Sequence, residues 1–313
     1  MNLKEQLNSY GSAREPFLFI IDYKLNNYEV ILLKDLPSDI KYSINQNKTF
    51  INHKTKIEKN QINFKEYKIK FDLIQDEIKA GNTYLLNLTT QTQINTQLQL
   101  NKIYDIANAK FKLYYKDKFI CFSPERFCEI KNNTIYTYPM KGTIDANIEN
   151  AKVKILENKK ELAEHIMVVD LLRNDLSIVS KKVKVEKFRY CEKIKAGQKE
   201  LLQVSSKISG QLNNNWQDEI GDIITTILPA GSITGAPKKK TIEIIEKIEQ
   251  YDRGYFTGIF GVFDGVSLDS AVMIRYIEKL KNNKLVYKSG GGITYDSDPK
   301  DEYNEMIDKV YIP

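Results

Sequence analysis

Short stretches of aliphatic, aromatic and threonine residues recur along most of the chain, and this pattern predicts β-strands. The first two stretches, at residues 17–21 and 28–33, predict a hairpin. Three stretches near the C-terminus predict a β-meander, with Asp264-Gly265 and Asn282-Asn283 at its turns. The meander strands are predicted over 255–263, 270–280 and 284–289, and other strands over 84–94, 183–188 and 204–212. The stretches 112–122 and 127–138 predict two or three further strands.

Other segments carry apolar residues at spacings of three and four, which is typical of a helix with one buried face. The clearest example spans residues 65–80. Its apolar positions are Tyr67, Phe71, Ile74 and Ile78. Further helices are predicted over 150–176, 219–228, 238–250 and 298–310.

The predicted strands and helices occur in blocks, without the regular alternation of parallel α/β folds. This order predicts the α+β class with largely antiparallel sheets. The chain has 313 residues, 42% of them hydrophobic, and shows neither internal repeats nor Pro- or Ser-rich linkers. We therefore predict a single large domain, with residues 1–64 as its β-rich N-terminal part and residues 65–313 as its ligand-binding part.

Charge and cysteine content argue against several classes of protein. The formal net charge of +6 comes from Lys and Glu scattered along the chain, which indicates a solvated surface rather than nucleic-acid binding. The three cysteines suggest neither a disulfide framework nor a zinc motif. Because no apolar run reaches about 18 residues and the N-terminus lacks a signal-like stretch, we expect a cytoplasmic protein without membrane contact.

Two pairs of glutamates have a spacing that suits metal binding. Glu161 and Glu164 lie three residues apart in one predicted helix, and Glu302 and Glu305 have the same spacing in the last one. Residues i and i+3 share a helix face, so two such faces could supply the oxygen ligands that Mg²⁺ prefers. Glutamates are also common on solvated helix surfaces, and spacing alone favours that interpretation.

Lys141 and Glu125 are candidate reactive residues. Lys141 lies between Pro139-Met140 and Gly142, directly after a predicted strand, where a neutral amine would be a well-placed nucleophile. Glu125 lies between two predicted strands, where a partly buried carboxyl could be a general acid. Each has a simpler interpretation, a surface turn for Lys141 and an ion pair for Glu125.

Two glycine clusters and a rare arginine could bind anions. Residues 231–235 and 290–292 can expose backbone N–H groups, and the first cluster also opens a predicted helix. Neither cluster matches a dinucleotide-binding or P-loop motif, and both could form tight turns. Arg275 ends an apolar strand, where its planar fork could clamp a carboxylate or form an ordinary ion pair.

Taken together and in this order, the segments resemble the chorismate-utilising enzymes, which include anthranilate, isochorismate, salicylate and aminodeoxychorismate synthases. The resemblance covers residues 65–310 and is highly specific, because several long motifs match in order. The matching segments are residues 81–89, Ser123-Pro124-Glu125-Arg126-Phe127, Pro139-Met140-Lys141-Gly142-Thr143, residues 164–175, 231–238, 271–275 and 290–305.

The resemblance implies a fold of two facing, largely antiparallel sheets flanked by helices, with a chorismate site. It implies that Glu164 and Glu305 bind Mg²⁺ directly, with Glu161 and Glu302 nearby and acting through water. The metal would hold the ring carboxylate of chorismate. The substrate-binding residues that it implies are Arg275, Gly291, Gly292, Thr234 and Lys309.

Lys141 indicates which reaction the resemblance favours. At this position the aminodeoxychorismate synthases carry Lys, whereas the anthranilate, isochorismate and salicylate enzymes carry Ala. The implied reaction converts chorismate and ammonia to 4-amino-4-deoxychorismate, on the route to 4-aminobenzoate and folate. Lys141 would attack ring carbon 2 while Glu125 protonates the hydroxyl leaving carbon 4, and ammonia would then expel Lys141.

The same resemblance implies that the chain works with two other proteins. The chain has only two histidines and lacks a nucleophile elbow or a Cys–His–Glu set, so a separate glutamine amidotransferase would supply ammonia. A separate lyase would act on the product, because pyruvate is retained. Two alternatives stay open: the large component of an anthranilate synthase, and a chorismate-binding protein without catalysis.

Overall fold

The computed structural model of the chain describes residues 1–45, 57–196 and 199–313. Its helices are α1 (Leu3–Ser12), α2 (Phe64–Lys79), α3 (Leu100–Ile106), α4 (Ala151–Glu157), α5 (Lys159–Val179), α6 (Ile220–Ile227), α7 (Gly231–Thr234), α8 (Lys238–Glu249) and α9 (Pro299–Asp308). Its strands are β1 (Phe17–Ile21), β2 (Tyr28–Leu32), β3 (Ile40–Ile44), β4 (Glu58–Asn60), β5 (Leu85–Asn95), β6 (Phe111–Tyr115), β7 (Phe119–Ser123), β8 (Arg126–Lys131), β9 (Thr134–Thr137), β10 (Met140–Asp145), β11 (Lys181–Ala196), β12 (Lys199–Gln211), β13 (Gly235–Ala236), β14 (Ile259–Phe263), β15 (Leu268–Val272), β16 (Tyr276–Lys279) and β17 (Leu285–Ile293).

The strands form two largely antiparallel sheets. The first has the order β10-β12-β9-β8-β15-β14-β1-β2, and β11 pairs with β12. The second has the order β13-β5-β17-β16-β7-β6-β3, and β4 pairs with β5. The predicted α+β class with two largely antiparallel sheets and helices is confirmed.

The chain divides into two compact units, each built from separate segments of sequence. The first comprises Met1–Phe17, Glu125–Ser232 and Val262–Ser270, and the second comprises Leu18–Pro124, Ile233–Gly261 and Ala271–Pro313. The predicted boundary between residues 64 and 65 stays a prediction. The candidate residues in the first unit are Glu125, Lys141, Glu161 and Glu164, and those in the second are Thr234, Arg275, Gly291, Gly292, Glu302, Glu305 and Lys309.

In the first unit, α1 packs through two glycines against α6 and the short 3₁₀ turn (Trp216–Glu219) that precedes it. A Cβ atom on Gly11 would lie 2.1 Å from the carbonyl oxygen of Gln217, and one on Gly221 would lie 2.2 Å from that of Lys4. The two helices can therefore approach this closely only without side chains at these positions. The sequence patterns did not predict α1, whose N-terminus is held by a capping box between Asn2 and Glu5.

In the second unit, the apolar face of α2 is buried as its spacing predicted. Its four apolar residues join a core with residues of β5, β17, α8 and α9, and each such side chain contributes about 1.5–3 kcal/mol. A second core packs α3 against β6, β7, β16 and β17. The N-terminus of α2 is capped by the side chain of Asn63, which accepts the backbone N–H of Glu66.

The single helix predicted over 150–176 is wrong, because the structure has two helices there. Asn158, between α4 and α5, has extended backbone angles, and its side chain accepts the backbone N–H of Glu161. This cap starts α5 afresh and places Glu161 in its first turn. In the described residues 1–45, 57–196 and 199–313, no helix combines the length and apolarity needed to cross a bilayer.

Several strand predictions also need correction. The stretches 112–122 and 127–138 form four strands, β6 to β9, rather than two or three. The stretch 270–280 is two strands, β15 and β16, and Arg275 in the break has φ +53°. The turn interpretation of residues 290–292 is wrong, because these glycines lie inside β17 and pair with Asn87, Leu88 and Thr89 of β5. The stretches 183–188 and 204–212 belong to the much longer strands β11 and β12.

Candidate functional site

Lys141 lies in an irregular part of β10. The pairing of β10 with β12 shifts register between Met140 and Thr143, which is the mark of a β-bulge. Gly142, in the bulge, has φ +90°, and a Cβ atom there would lie 2.9 Å from Oε2 of Glu161. Only glycine meets both conditions without strain. The interpretation of Lys141 as a surface turn residue is therefore wrong.

The Lys141 side chain meets the first predicted glutamate pair. Its Nζ donates to Oε2 of Glu164 at 3.1 Å, and the exposed fractions of the two side chains are 25% and 11%. Glu161, one turn earlier on α5, has its carboxylate beside Gly142. The structure thus brings Lys141, Glu161 and Glu164 together within the first unit.

Glu125 lies between β7 and β8. Its hydrogen-bond partner, Ser232, comes from the glycine cluster at residues 231–235, called the Gly-rich segment below. The hydroxyl of Ser232, in α7, donates a short hydrogen bond to Oε1 of Glu125. The neighbouring Arg126 forms two hydrogen bonds of 2.8 Å with Asp269. Ser232 was not singled out from the sequence, although it lies in the 231–238 motif, so its hydroxyl there was the available signal.

The second glutamate pair lies beside the glycines of β17, in the second unit. Glu302 is 6% exposed and accepts a hydrogen bond from Oγ of Ser297 at 2.8 Å. A Cβ atom on Gly291 would lie 3.5 Å from Oε2 of Glu302 and 3.7 Å from Nζ of Lys309. The absence of a side chain at Gly291 therefore leaves its backbone open toward both charged groups.

Lys309 connects α9 to the same glycines. Its Nζ donates to the carbonyl oxygen of Gly290 at 2.9 Å and forms an ion pair with Oε1 of Glu305 at 2.7 Å. The Glu305 side chain is 59% exposed, whereas Glu302 is buried. The structure thus brings Gly291, Glu302, Glu305 and Lys309 together within the second unit.

The other three predicted substrate contacts also lie in the second unit. Arg275 stacks its guanidinium over the ring of Tyr311 at 4.8 Å, and its carbonyl oxygen accepts the N–H of Phe122 at 3.1 Å. Thr234, the last residue of α7, is fully buried. Gly292 pairs with Asn87 in the β5–β17 ladder. Their roles in substrate binding stay predictions.

His165, next to Glu164, is a buried group that the sequence did not single out. Its Nε2 lies 2.7 Å from Oγ of Ser206, and its ring meets Phe188 edge-on at 5.8 Å. Burial lowers the pKa of His165 to about 4; the backbone of Lys141 counters this and the charge of Arg189 adds to it. His165 is therefore a neutral imidazole packed behind the bulge that carries Lys141.

The glutamate pairs have the donor chemistry that Mg²⁺ requires. Each pair supplies carboxylate oxygens from one helix, and Glu164 and Glu302 are both buried, which a purely solvated role does not explain. In the described part of the chain, no group of three or more His, Cys, Asp or Glu side chains is gathered for a metal ion. Mg²⁺ therefore stays a prediction that rests on donor type and on the resemblance.

Comparison with known proteins agrees with the motif analysis at the level of the family. The family described as chorismate binding enzyme matches residues 22–312. An uncharacterized PabA-like protein of Pasteurella multocida (strain Pm70) is 49% identical over 316 residues, which cover 99% of this chain and 97% of that protein. The aminodeoxychorismate synthase component 1 of Bacillus subtilis (strain 168) is 32% identical over 253 residues, which cover 76% of this chain and 52% of that enzyme.

Solved structures share the fold. The crystal structure of a Bacillus anthracis protein, DhbC, described as a 2,3-dihydroxybenzoate-specific isochorismate synthase by similarity, has a TM-score of 0.74 at 18% identity. The match covers 99% of this chain and 88% of that one. At this identity the likeness concerns the fold alone.

Proposed function

We propose a reaction for this chain from one premise: the chain belongs to the chorismate-binding enzyme family. The proposed reaction is that of an aminodeoxychorismate synthase subunit, which converts chorismate and ammonia to 4-amino-4-deoxychorismate and water. The observation that carries the proposal is the position of Lys141, whose Nζ lies 3.1 Å from Glu164 on a bulged strand. The name of the Bacillus subtilis relative supports the same reaction.

The chemistry starts with an allylic displacement on the substrate ring. The Lys141 amine, once it has lost a proton, attacks ring carbon 2, both conjugated ring double bonds shift, and the hydroxyl on carbon 4 leaves. Glu125 gives that hydroxyl a proton, and the Ser232 hydroxyl orients the Glu125 carboxyl. Water is the leaving group.

A second displacement completes the reaction. Ammonia attacks carbon 4, both ring double bonds shift back, and Lys141 leaves carbon 2 as the free amine, with a proton passing from the new amine nitrogen to the lysine nitrogen. Mg²⁺ would offset the charge of the ring carboxylate, and its candidate ligands are Glu161, Glu164, Glu302 and Glu305. Arg275, Lys309, Thr234 and the backbone of Gly291 and Gly292 would hold the rest of the anionic substrate.

Ammonia would come from a separate glutamine amidotransferase, and a separate lyase would release 4-aminobenzoate. The term "component 1" in the name of the Bacillus subtilis relative supports the need for a second protein. An anthranilate synthase would instead aminate carbon 2 and release pyruvate. A lysine held at Glu164 argues against that alternative, because direct amination needs no amine from the protein at that place.

The test is product identification with a matched control. The purified chain receives chorismate, Mg²⁺ and either ammonium salt or glutamine, and products are analysed by mass spectrometry with and without a lyase. We expect the 4-amino product with ammonium and none with glutamine. Lys141→Ala should lower its rate by about 10³-fold or more, because the nucleophile is lost.

The control is Lys207→Ala. Lys207 pairs with Glu186 at 2.7 Å in the same unit, and both side chains are 26% exposed, so the substitution removes a similar ion pair. Its rate should equal that of the wild type. Anthranilate as the main product of the wild-type chain would refute the proposed reaction.

A further inference from the structure

Arg253 is a buried cation that the proposed chemistry does not use. It follows α8, it is 2% exposed, and all five of its N–H groups are engaged. Nε and Nη2 donate to the two carboxylate oxygens of Glu249 at 2.8 and 2.7 Å. The remaining N–H groups donate to the carbonyl oxygens of Ile233 at 3.0 Å and Asn87 at 2.9 Å, and to Oγ1 of Thr257 at 3.4 Å.

Glu249 extends the same network to a second point on β5. Its Oε1 accepts the backbone N–H of Thr89 at 2.7 Å and the Thr89 hydroxyl at 2.8 Å. The ion pair is thus hydrogen-bonded to β5 on both sides of Leu88, through the carbonyl of Asn87 and the N–H of Thr89. It is also hydrogen-bonded to the Gly-rich segment through the carbonyl of Ile233.

The two segments that the ion pair contacts, β5 and the Gly-rich segment, adjoin three predicted substrate contacts. In the β5–β17 ladder, Asn87 pairs with Gly292 and Leu88 pairs with Gly291. Ile233 directly precedes Thr234. The pair therefore holds the backbone behind Gly291, Gly292 and Thr234 through one rigid set of hydrogen bonds.

A buried ion pair is weak evidence for a stabilising role. The cost of desolvating both charges roughly cancels their attraction, and apolar replacements of similar pairs are often neutral or stabilising. This pair makes five hydrogen bonds to three other parts of the chain: Ile233, Thr257, and β5 at Asn87 and Thr89. Directed bonds of this kind fix the relative positions of those segments more specifically than apolar packing does. Lysine could not substitute, because its ammonium lacks the planar fork.

We propose that the Arg253–Glu249 pair positions the backbone of Gly291, Gly292 and Thr234 and thereby sets the affinity for chorismate, with little part in the chemical step. The proposal rests on the substrate contacts named under the proposed function. Arg253 and Glu249 are positioning residues, acting through β5 and the Gly-rich segment.

The test uses Arg253→Lys, which keeps the charge and removes the fork. We expect the Kd for chorismate from calorimetric titration and the KM from initial rates to rise about tenfold, which corresponds to roughly 1.4 kcal/mol of binding free energy. The kcat at saturation should stay within about threefold, because the reacting groups are untouched. Glu249→Gln should change KM and Kd in the same direction, and it carries the test if Arg253→Lys does not fold.

The matched control is Lys112→Gln. Lys112 is also a buried cation of the second unit, and its Nζ donates to the carbonyl oxygens of Tyr104 and Ala107, which adjoin no predicted substrate contact. This variant should lose thermal stability and keep the wild-type KM. If both positioning variants also keep the wild-type KM and Kd, whatever their Tm or kcat, the pair is only structural and the proposal is wrong. Direct titration with chorismate does not depend on which product forms, so failure of the proposed reaction would be seen separately.

Discussion

The hydrogen bond between Lys141 and Glu164 sets the position of the lysine amine. It holds Nζ 3.1 Å from Oε2 of Glu164. A cation that engages Glu164 would compete with Lys141 for this carboxylate. The proposed metal ligand and the proposed nucleophile are therefore coupled through one hydrogen bond.

The buried His165 predicts how stability depends on pH. Its pKa of about 4 in the folded protein lies below the usual 6.5, so the unfolded chain binds its proton first as the pH falls. The stability linked to His165 is complete above pH 6.5 and is lost between pH 6.5 and 4, by about 2 kcal/mol at pH 5. Chemical denaturation from pH 7.5 to 5 measures this slope. His165→Gln, which can keep the contact with Ser206, should show a flatter one, and equal slopes would contradict the assignment.

At the scale of elements, the bulge in β10 determines where Lys141 points. A regular strand would send successive side chains to opposite faces, whereas the register shift at residues 140–143 re-aims one of them toward α5. The break at Asn158 matters in the same way, because it sets the start of α5 and so the positions of Glu161 and Glu164 along it. Two local irregularities therefore bring the lysine and the glutamates together.

Gly142→Ala tests the bulge. Alanine at φ +90° costs about 1–2 kcal/mol of stability, and its Cβ would also press on Glu161. Gly81→Ala is the matched control, since Gly81 has φ +76° with nothing within 4 Å of its added Cβ. Both variants should lose similar stability in thermal unfolding, but only Gly142→Ala should lose turnover, by about tenfold for a slightly displaced nucleophile. Equal turnover in the two variants would show that the bulge does not position Lys141.

The spacing of apolar residues predicted those helices and strands that bury one face at regular intervals. The helix predicted at residues 65–80 is observed at Phe64–Lys79, and the strand predicted at 17–21 has those bounds. The prediction of one continuous helix over 150–176 failed because the apolar spacing runs through Asn158 and gives no sign that this residue caps a new helix. Residues 290–292 could be assigned to β17 only with knowledge of the pairing to β5, because three glycines carry no side-chain pattern.

At the scale of the molecule, the order of motifs predicted the family more firmly than any single residue did. Lys141, Glu161 and Glu164 meet in the first unit, and Gly291, Glu302, Glu305 and Lys309 meet in the second. Ser232, His165 and the Arg253–Glu249 pair were not predicted. Their partners are about 40 to 170 residues away in sequence, or are backbone atoms, so only the fold shows which side chain each one supports.

The central claim is that Lys141 forms a covalent bond to the substrate, and intact-protein mass spectrometry tests it directly. The chain is mixed with chorismate and Mg²⁺ without ammonia, quenched with acid, and then digested for peptide mapping. We expect an added mass equal to chorismate less one water, located on Lys141, present in Lys207→Ala and absent from Lys141→Ala. Addition of ammonium before the quench should remove it and release the 4-amino product. A Lys141→Ala protein that makes this product at the wild-type rate would show that Lys141 is not the nucleophile.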